Sequence, residues 1–229
     1  MGQFAIQPLF QTPIYIEQFE PRSNIDLIQD EISLGITTTK FNEPGSHKFS
    51  EQLGHNICTG EFDGDWLKEK ACISFITALN GAVERYCQQT GFPATDMYDP
   101  DRLVYNRKSW INEFRKGSYA HEHHHSTADI SGVYYYQTSG DDGSLYFESP
   151  VAQAGCTPAW IQLNERFNIP PRVGLMVLFP GWLTHGVSTN RTDSTRISIS
   201  WNVNFKTCLL YTSDAADEGL GVDLGGRRI

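Results

Sequence analysis

Leu67, Ala71, Phe75, Ala78, Leu79, Ala82, Val83 and Tyr86 recur at three- and four-residue spacing between Trp66 and Gln89. That is the period of one helix face, so the segment reads as an amphipathic helix packed across the outside of a sheet. Asp63 or Asp65 can cap its start, and Gly91 fits the position just past its end, with Pro93 beyond. A shorter stripe, Ile25, Ile28 and Ile32, predicts a helix capped by Asn24 and ending at Gly35. Ahead of it Ile14-Tyr15-Ile16 reads as a short strand, and Pro8 and Pro13 limit any helix there. Residues 36–64 are rich in Gly, Asn, Ser and Thr without a clear period, and read as an irregular segment or a lid.

After Pro100 the period changes. Arg102 to Phe114, Ile130 to Gln137, Ser144 to Phe147, Gly174 to Phe179 and Thr195 to Phe205 are rich in β-branched and aromatic residues, which predicts strands. Gly140-Asp141-Asp142-Gly143 is a hairpin-turn signal. Helices first and a run of short strands afterwards predict a mainly β fold with N-terminal helices: a jelly roll, or cupin-like double-stranded β-helix. The division is one domain over 1–207, with helical support over 20–92 and the jelly-roll core over 100–207.

Composition narrows the class. A chain of 229 residues suits one domain with a real core, and its 39% apolar content argues against disorder. No apolar run reaches the length of a membrane span, and Met1-Gly2-Gln3-Phe4 lacks the features of a signal peptide. A formal charge of −9 disfavours nucleic acid as a partner, since such binding needs a basic face. The cysteines, Cys58, Cys72, Cys87, Cys156 and Cys208, are scattered and odd in number, so a reducing cytoplasm is the expected setting.

The histidines are not scattered. Four of the seven fall in His121-Glu122-His123-His124-His125. On a strand, residues i and i+2 share a face about 6.5–7 Å apart, so His123 and His125 would present two imidazoles to one side. His185 would supply a third ligand, giving a facial triad with open positions that suits non-haem Fe(II). His121 and His124 fall on the other face and read as loop residues; His121-x-His123 is the other pairing with the same spacing.

Arg196 follows His185 by eleven residues, with Ser198 on the same strand face. A guanidinium fork and a neighbouring hydroxyl suit a carboxylate. A dicarboxylic cosubstrate that chelates the metal at one end and pairs with Arg196 and Ser198 at the other fits a 2-oxoglutarate-dependent oxygenase. Trp110 with Asn112, and Tyr134 with Tyr136, share strand faces, which makes Asn112 and Tyr134 candidates for hydrogen bonds to the cosubstrate.

Ser109-Trp110-Ile111-Asn112, Lys116-Gly117-Ser118-Tyr119, His123-x-His125, Ser131-Gly132-Val133-Tyr134-Tyr135, Leu178-Phe179-Pro180-Gly181-Trp182-Leu183-x-His185 and Arg196-Ile197-Ser198-Ile199-Ser200-x-Asn202 together resemble the 2-oxoglutarate- and Fe(II)-dependent oxygenases of marine bacteria and their phages. That family is related to the prolyl-hydroxylase-like double-stranded β-helix enzymes. The resemblance runs from Pro8-Leu9-Phe10 to Asn204. It implies a jelly-roll core with Fe(II) and 2-oxoglutarate, and no settled substrate. The expected activity is that of a dioxygenase that uses dioxygen to hydroxylate a C–H bond of a small-molecule or peptide substrate, with ascorbate as a stimulant. The wider superfamily carries His-x-Asp or His-x-Glu where this chain has His123-x-His125, so Asp129 stands as the alternative second ligand. Two other readings keep the fold: a cupin-like tri-histidine dioxygenase that does not use 2-oxoglutarate, and a non-catalytic binding module.

The segment 208–229 resembles something else, a translated sequencing adapter. Cys208 to Glu218 and Val222 to Ile229 match its two parts in order, with a sample index between them. It is expected to be a non-native tail that takes no part in the core.

Overall fold

A computed structural model describes residues 11–19, 25–41, 54–60, 64–91, 105–151, 156, 158 and 165–205. Its elements run β1 (Tyr15–Gln18), α1 (Ile25–Thr37), β2 (Gly54–Gly60), α2 (Trp66–Glu69), α3 (Ile73–Thr90), β3 (Tyr105–His123), β4 (Ile130–Gln137), β5 (Leu145–Phe147), β6 (Phe167–Ile169), β7 (Leu175–Pro180), β8 (His185–Val187) and β9 (Arg196–Phe205). The strands form one antiparallel sheet in the order β1-β7-β4-β9-β3-β8-β5-β6, with β2 also paired to β3. Tyr135 and Val177, on strands near one end of that order, pack in one cluster with Leu145, Phe147 and Ile169 from the other end. A flat sheet cannot do this, so the sheet is curled into the two facing halves of a double-stranded β-helix.

The helices cover the outside of the curl. Ile28 and Ile32 of α1, Trp66 and Leu67 of α2, and Phe75, Leu79, Val83 and Tyr86 of α3 pack on Ile111, Tyr134, Met176, Leu178, Ile199 and Trp201 of the sheet. Phe75 sets its ring against both Tyr134 (4.9 Å between centroids) and Trp201 (5.8 Å). Each fully buried side chain of this size contributes roughly 1.5–3 kcal/mol, so this layer anchors the sheet.

The helix expected over 66–89 is broken. Residues 70–72 interrupt it, Ala71 turns to φ 56° and is exposed, and α3 starts afresh at Ile73. The cause lies on α1, where the Glu31 carboxylate accepts from the Ser74 and Phe75 amides (2.9 and 3.2 Å) and so caps α3 from outside. Asp65 stands before α2 but does not cap it with its side chain; it holds Arg107 (2.8 Å) and Ser109, and the Ser109 hydroxyl accepts from the Leu67 amide. Gly91 ends α3 in the left-handed conformation, as expected.

Four other expectations change. The segment 36–64 contains β2, which pairs with β3 and lines the interior. β6 and β8 carry too few residues to show a period. Gly140–Gly143 is not a hairpin turn, because the flanking β4 and β5 pair with other strands. β3 continues past Phe114 to His123, bending at Gly117, whose φ of 86° favours glycine. Buried Asn190 holds that bend: its backbone pairs with Gly117 and Ser118, and its Nδ2 donates to the Phe114 and Ser194 carbonyls. Bent in this way, β3 pairs with β9 along one half and with β8 along the other.

Among the described residues no helix is long and apolar enough to cross a membrane. Cys72 and Cys87 are buried free thiols and Cys156 is an exposed one, while Cys58 is buried. Asn24, the start of the strand expected at Arg102, Cys208 and the segment 208–229 lie outside the described residues.

Candidate metal centre

The inner face of the curl is built in rows, because paired residues on antiparallel strands project to the same side. The innermost row holds Arg196, Phe114 and Ile57; next come Tyr135, Ser198, Asn112 and Thr59; then Val133, Ser200 and Trp110; and at the rim Ser131, Asn202 and Lys108. β8 and β5 close the other side with His185, Val187 and Leu145. Between them lies a cavity of about 330 Å³.

His123, His125 and His185 meet in this cavity. One nitrogen of each ring lies within 4.8 Å of those of the other two. The hydrogen bonds fix which nitrogen. His123 Nδ1 lies 2.7 Å from the His121 carbonyl and His185 Nδ1 2.9 Å from the Leu183 carbonyl. A carbonyl only accepts, so each Nδ1 carries the proton and each Nε2 keeps a bare lone pair. His125 Nδ1 lies 2.7 Å from Asn202 Oδ1, which the Ser131 hydroxyl also approaches (2.8 Å). Outer partners of this kind are what orient metal-binding imidazoles. Burial is the main cause that pulls all three pKa values down, helped at His125 and His185 by the neighbouring histidines; His125 falls to about 4 and His185 well below its usual value. The three rings are neutral near pH 7, the state in which an imidazole can ligate.

His123 is on β3, but His125 lies just past its end, so the expected strand pair is not what aligns them. The His125 amide donates to the Gly181 carbonyl (2.7 Å), and the Gly181 amide donates to Asp129 O (3.2 Å). The two turns approach so closely that a Cβ at Gly181 would sit 2.1 Å from the Ala128 carbonyl oxygen. Gly181 therefore sets the position of the His125 ring.

Arg196 closes the far end. It is 1% exposed, and among the described residues no carboxylate forms an ion pair with it. Its Nη1 donates to the Asp142 carbonyl (3.1 Å) and to the Gly143 carbonyl, and its guanidinium sits 4.2 Å from the centroid of the Phe114 ring. Its Nε is buried without a hydrogen-bond partner among the described residues. A buried charge left in this state is costly, and a carboxylate entering the cavity would satisfy it. A dicarboxylic cosubstrate thus fits the residues present.

Ser198 and Asn112 face the cavity; Asn112 Nδ2 donates to Ser200 Oγ (3.0 Å). Tyr134 does not face it. Strand alternation turns Tyr134 outward into the helix-covered layer, against Phe75 and Phe19, where its hydroxyl accepts from Gln29 Nε2 (3.2 Å). The inward phenol is Tyr135, missed from the sequence because both faces of β4 are buried and no polar alternation marks the inner one. Burial pushes the Tyr135 phenol up to about 12, so it is a neutral donor beside Arg196. Asp129 stands outside the cluster, its carboxylate accepting from the Phe205 amide (2.8 Å). Glu122 points outward to Arg166, and His121 and His124 are exposed. Ser131 and Asn202 were visible only as motif residues; their support of His125 is a product of the fold.

Residues 108–202 match the family described as "Putative 2OG-Fe(II) oxygenase". That segment carries the likeness to the 2OG-Fe(II) oxygenases, and it contains all three clustered histidines, Arg196 and Ser198. Solved structures resemble the whole described fold. A Pseudomonas putida prolyl-4-hydroxylase aligns at 14% identity and TM-score 0.57, over 85% of this chain and 94% of that one. A Trichoplax adhaerens prolyl hydroxylase, solved with a hypoxia inducible factor oxygen degradation domain peptide fragment, aligns at 13% and 0.54, over 83% and 82%. The epimerase SnoN of nogalamycin biosynthesis, solved with Fe3+, alpha ketoglutarate and nogalamycin RO, aligns at 11% and 0.56, over 84% and 78%. At these identities the likeness is one of fold. Among curated proteins no sequence matches.

Proposed function

We propose that the oxygenase segment makes this chain an Fe(II)- and 2-oxoglutarate-dependent dioxygenase that hydroxylates a C–H bond of a small-molecule or peptide substrate. The observation that carries the reading is Arg196, a buried guanidinium with an unpartnered Nε at the closed end of a cavity whose walls hold three converging imidazoles. His123, His125 and His185 would hold the metal through Nε2. Arg196 would bind the distal carboxylate of 2-oxoglutarate, with Ser198 and Tyr135 beside it and Asn112 in the same row. Bound Fe(II) with 2-oxoglutarate and dioxygen supplies decarboxylation of the cosubstrate to succinate and carbon dioxide and transfer of an oxygen atom to a C–H bond.

The chain's own part is positioning and exclusion. The His121 and Leu183 carbonyls and Asn202 Oδ1 hold the Nδ1 protons, so the lone pairs stay aimed inward. Trp110, Val133 and Phe179 line the cavity and exclude water from its walls. Three neutral ligands leave both positive charges of Fe(II) to the dianionic cosubstrate. Ascorbate is expected to stimulate turnover.

The rival tri-histidine reading without 2-oxoglutarate gives Arg196 no task. The deciding experiment is an anaerobic titration of the Fe(II) protein with 2-oxoglutarate. A visible metal-to-ligand charge-transfer band, and succinate on admitting air, are expected; no band at saturating 2-oxoglutarate overturns the proposal.

A further inference from the structure

Twenty-seven of the residues in this chain are acidic, yet no Asp or Glu is among the described residues that line the cavity. Among the described residues, Arg196 is the one charged residue in the lining. The rim continues the same sign. Lys108 pairs in register with Asn202, the residue that holds His125, so the two side chains leave the same face of neighbouring strands with their Cβ atoms about 5 Å apart. Lys108 is exposed and makes no ion pair with any described residue. Next to it the turn holding Ser126 and Thr127 lines the cavity, tied down by the Asn204 side chain on the Thr127 carbonyl. One step inward on the Lys108 face lies Trp110, whose ring is 6.0 Å from that of His125.

We propose that the substrate carries a carboxylate or phosphate that Lys108 binds at the rim, with an apolar, planar part lying along Trp110 toward the histidines. The inference rests on the dioxygenase reading and adds the substrate class to it. A cationic substrate finds no carboxylate in the described lining. An anionic one gains Lys108 at the rim, where no described lining residue is acidic, and the chain's overall negative charge makes this local reversal selective.

The test uses the Fe(II) protein saturated with 2-oxoglutarate under nitrogen, at one fixed ionic strength. Phenylacetate and phenyl phosphate are titrated as anionic probes and benzylammonium as the cationic one, followed by the charge-transfer band and by calorimetry. Both anions, or one of them, should bind the wild type more tightly than benzylammonium, and whichever binds identifies carboxylate or phosphate. Lys108→Glu should weaken that binding about tenfold or more, while Lys108→Arg keeps it. Metal stoichiometry and 2-oxoglutarate affinity should stay nearly unchanged in both variants. Preference for benzylammonium, absence of anion binding to the wild type, or equal affinity in Lys108→Glu overturns the inference. Failure of the dioxygenase reading looks different: the wild type then shows no band with 2-oxoglutarate, whatever the probes do in the calorimeter.

Discussion

His123 and His185 sit opposite each other across the β3–β8 ladder, their ring centroids 4.4 Å apart, because the register slips by one residue between Ala120 and His123. Ala120 pairs with Val187, so an unbroken ladder would set Glu122 against His185. The bulge puts His123 there and turns Glu122 out to Arg166. Bulges beside active sites commonly re-aim a side chain in this way. Here the bulge explains why the cluster is made of imidazoles although a carboxylate lies next to it in sequence.

From this geometry His185→Ala should abolish stoichiometric Fe(II) binding and leave the far-UV circular dichroism spectrum unchanged. The ring it removes is the most buried of the three and comes from a separate strand. One iron per chain in the variant would refute the cluster as the metal site.

Asn202 is predicted to matter through His125. Asn202→Ala removes the acceptor 2.7 Å from His125 Nδ1, and metal affinity should fall about 10-fold or more by chelator competition. The Ser131 hydroxyl, 2.9 Å from the same nitrogen, should keep the loss below that of His125→Ala. Unchanged affinity would mean that the ring orients itself without Asn202.

Arg196→Ala should weaken 2-oxoglutarate binding by about 1.5–3 kcal/mol, the worth of a charge-assisted hydrogen bond, with metal affinity nearly intact. Equal 2-oxoglutarate affinity in the variant, measured by titrating the charge-transfer band, would favour the reading without this cosubstrate.

The two neighbouring tyrosines should separate cleanly. Tyr134→Phe loses a hydrogen bond with Gln29 in the outer layer and should cost about 0.5–1.5 kcal/mol in urea unfolding, with 2-oxoglutarate affinity unchanged. Tyr135→Phe should instead weaken 2-oxoglutarate binding. The reverse pattern would show that the assignment of faces along β4 is wrong.

The metal-free protein should lose stability in acid. Unfolded histidine takes its proton near 6.5, whereas folded His125 resists until about 4. Between those values the unfolded chain binds a proton that the folded one refuses, so the stability present above pH 6.5 is lost progressively as pH falls toward 4. His123 and His185 shift in the same direction. The melting temperature of the wild type should therefore fall more steeply across this window than that of His125→Gln; parallel curves would contradict it.

The sequence by itself determined the helix stripes, the main strands and the identity of the chemical groups. A repeating apolar face is a local property, and His123, His125, His185 and Arg196 stand out by type and spacing. Tertiary structure decided which groups meet and which way they face. Glu31 on α1 splits the expected helix at Ala71, and no local pattern in 66–89 reports a cap that comes from another element. β2 pairs with β3 despite having no period of its own, since its backbone bonds go to a strand far along the chain. Tyr134 and Tyr135 are indistinguishable in sequence because both faces of β4 are covered, one by helices and the other by the facing half of the sheet. The choice between Glu122 and His123 rests on a one-residue slip in the β3–β8 register, and a side-chain period of two means that a single extra residue exchanges the inward face for the outward one.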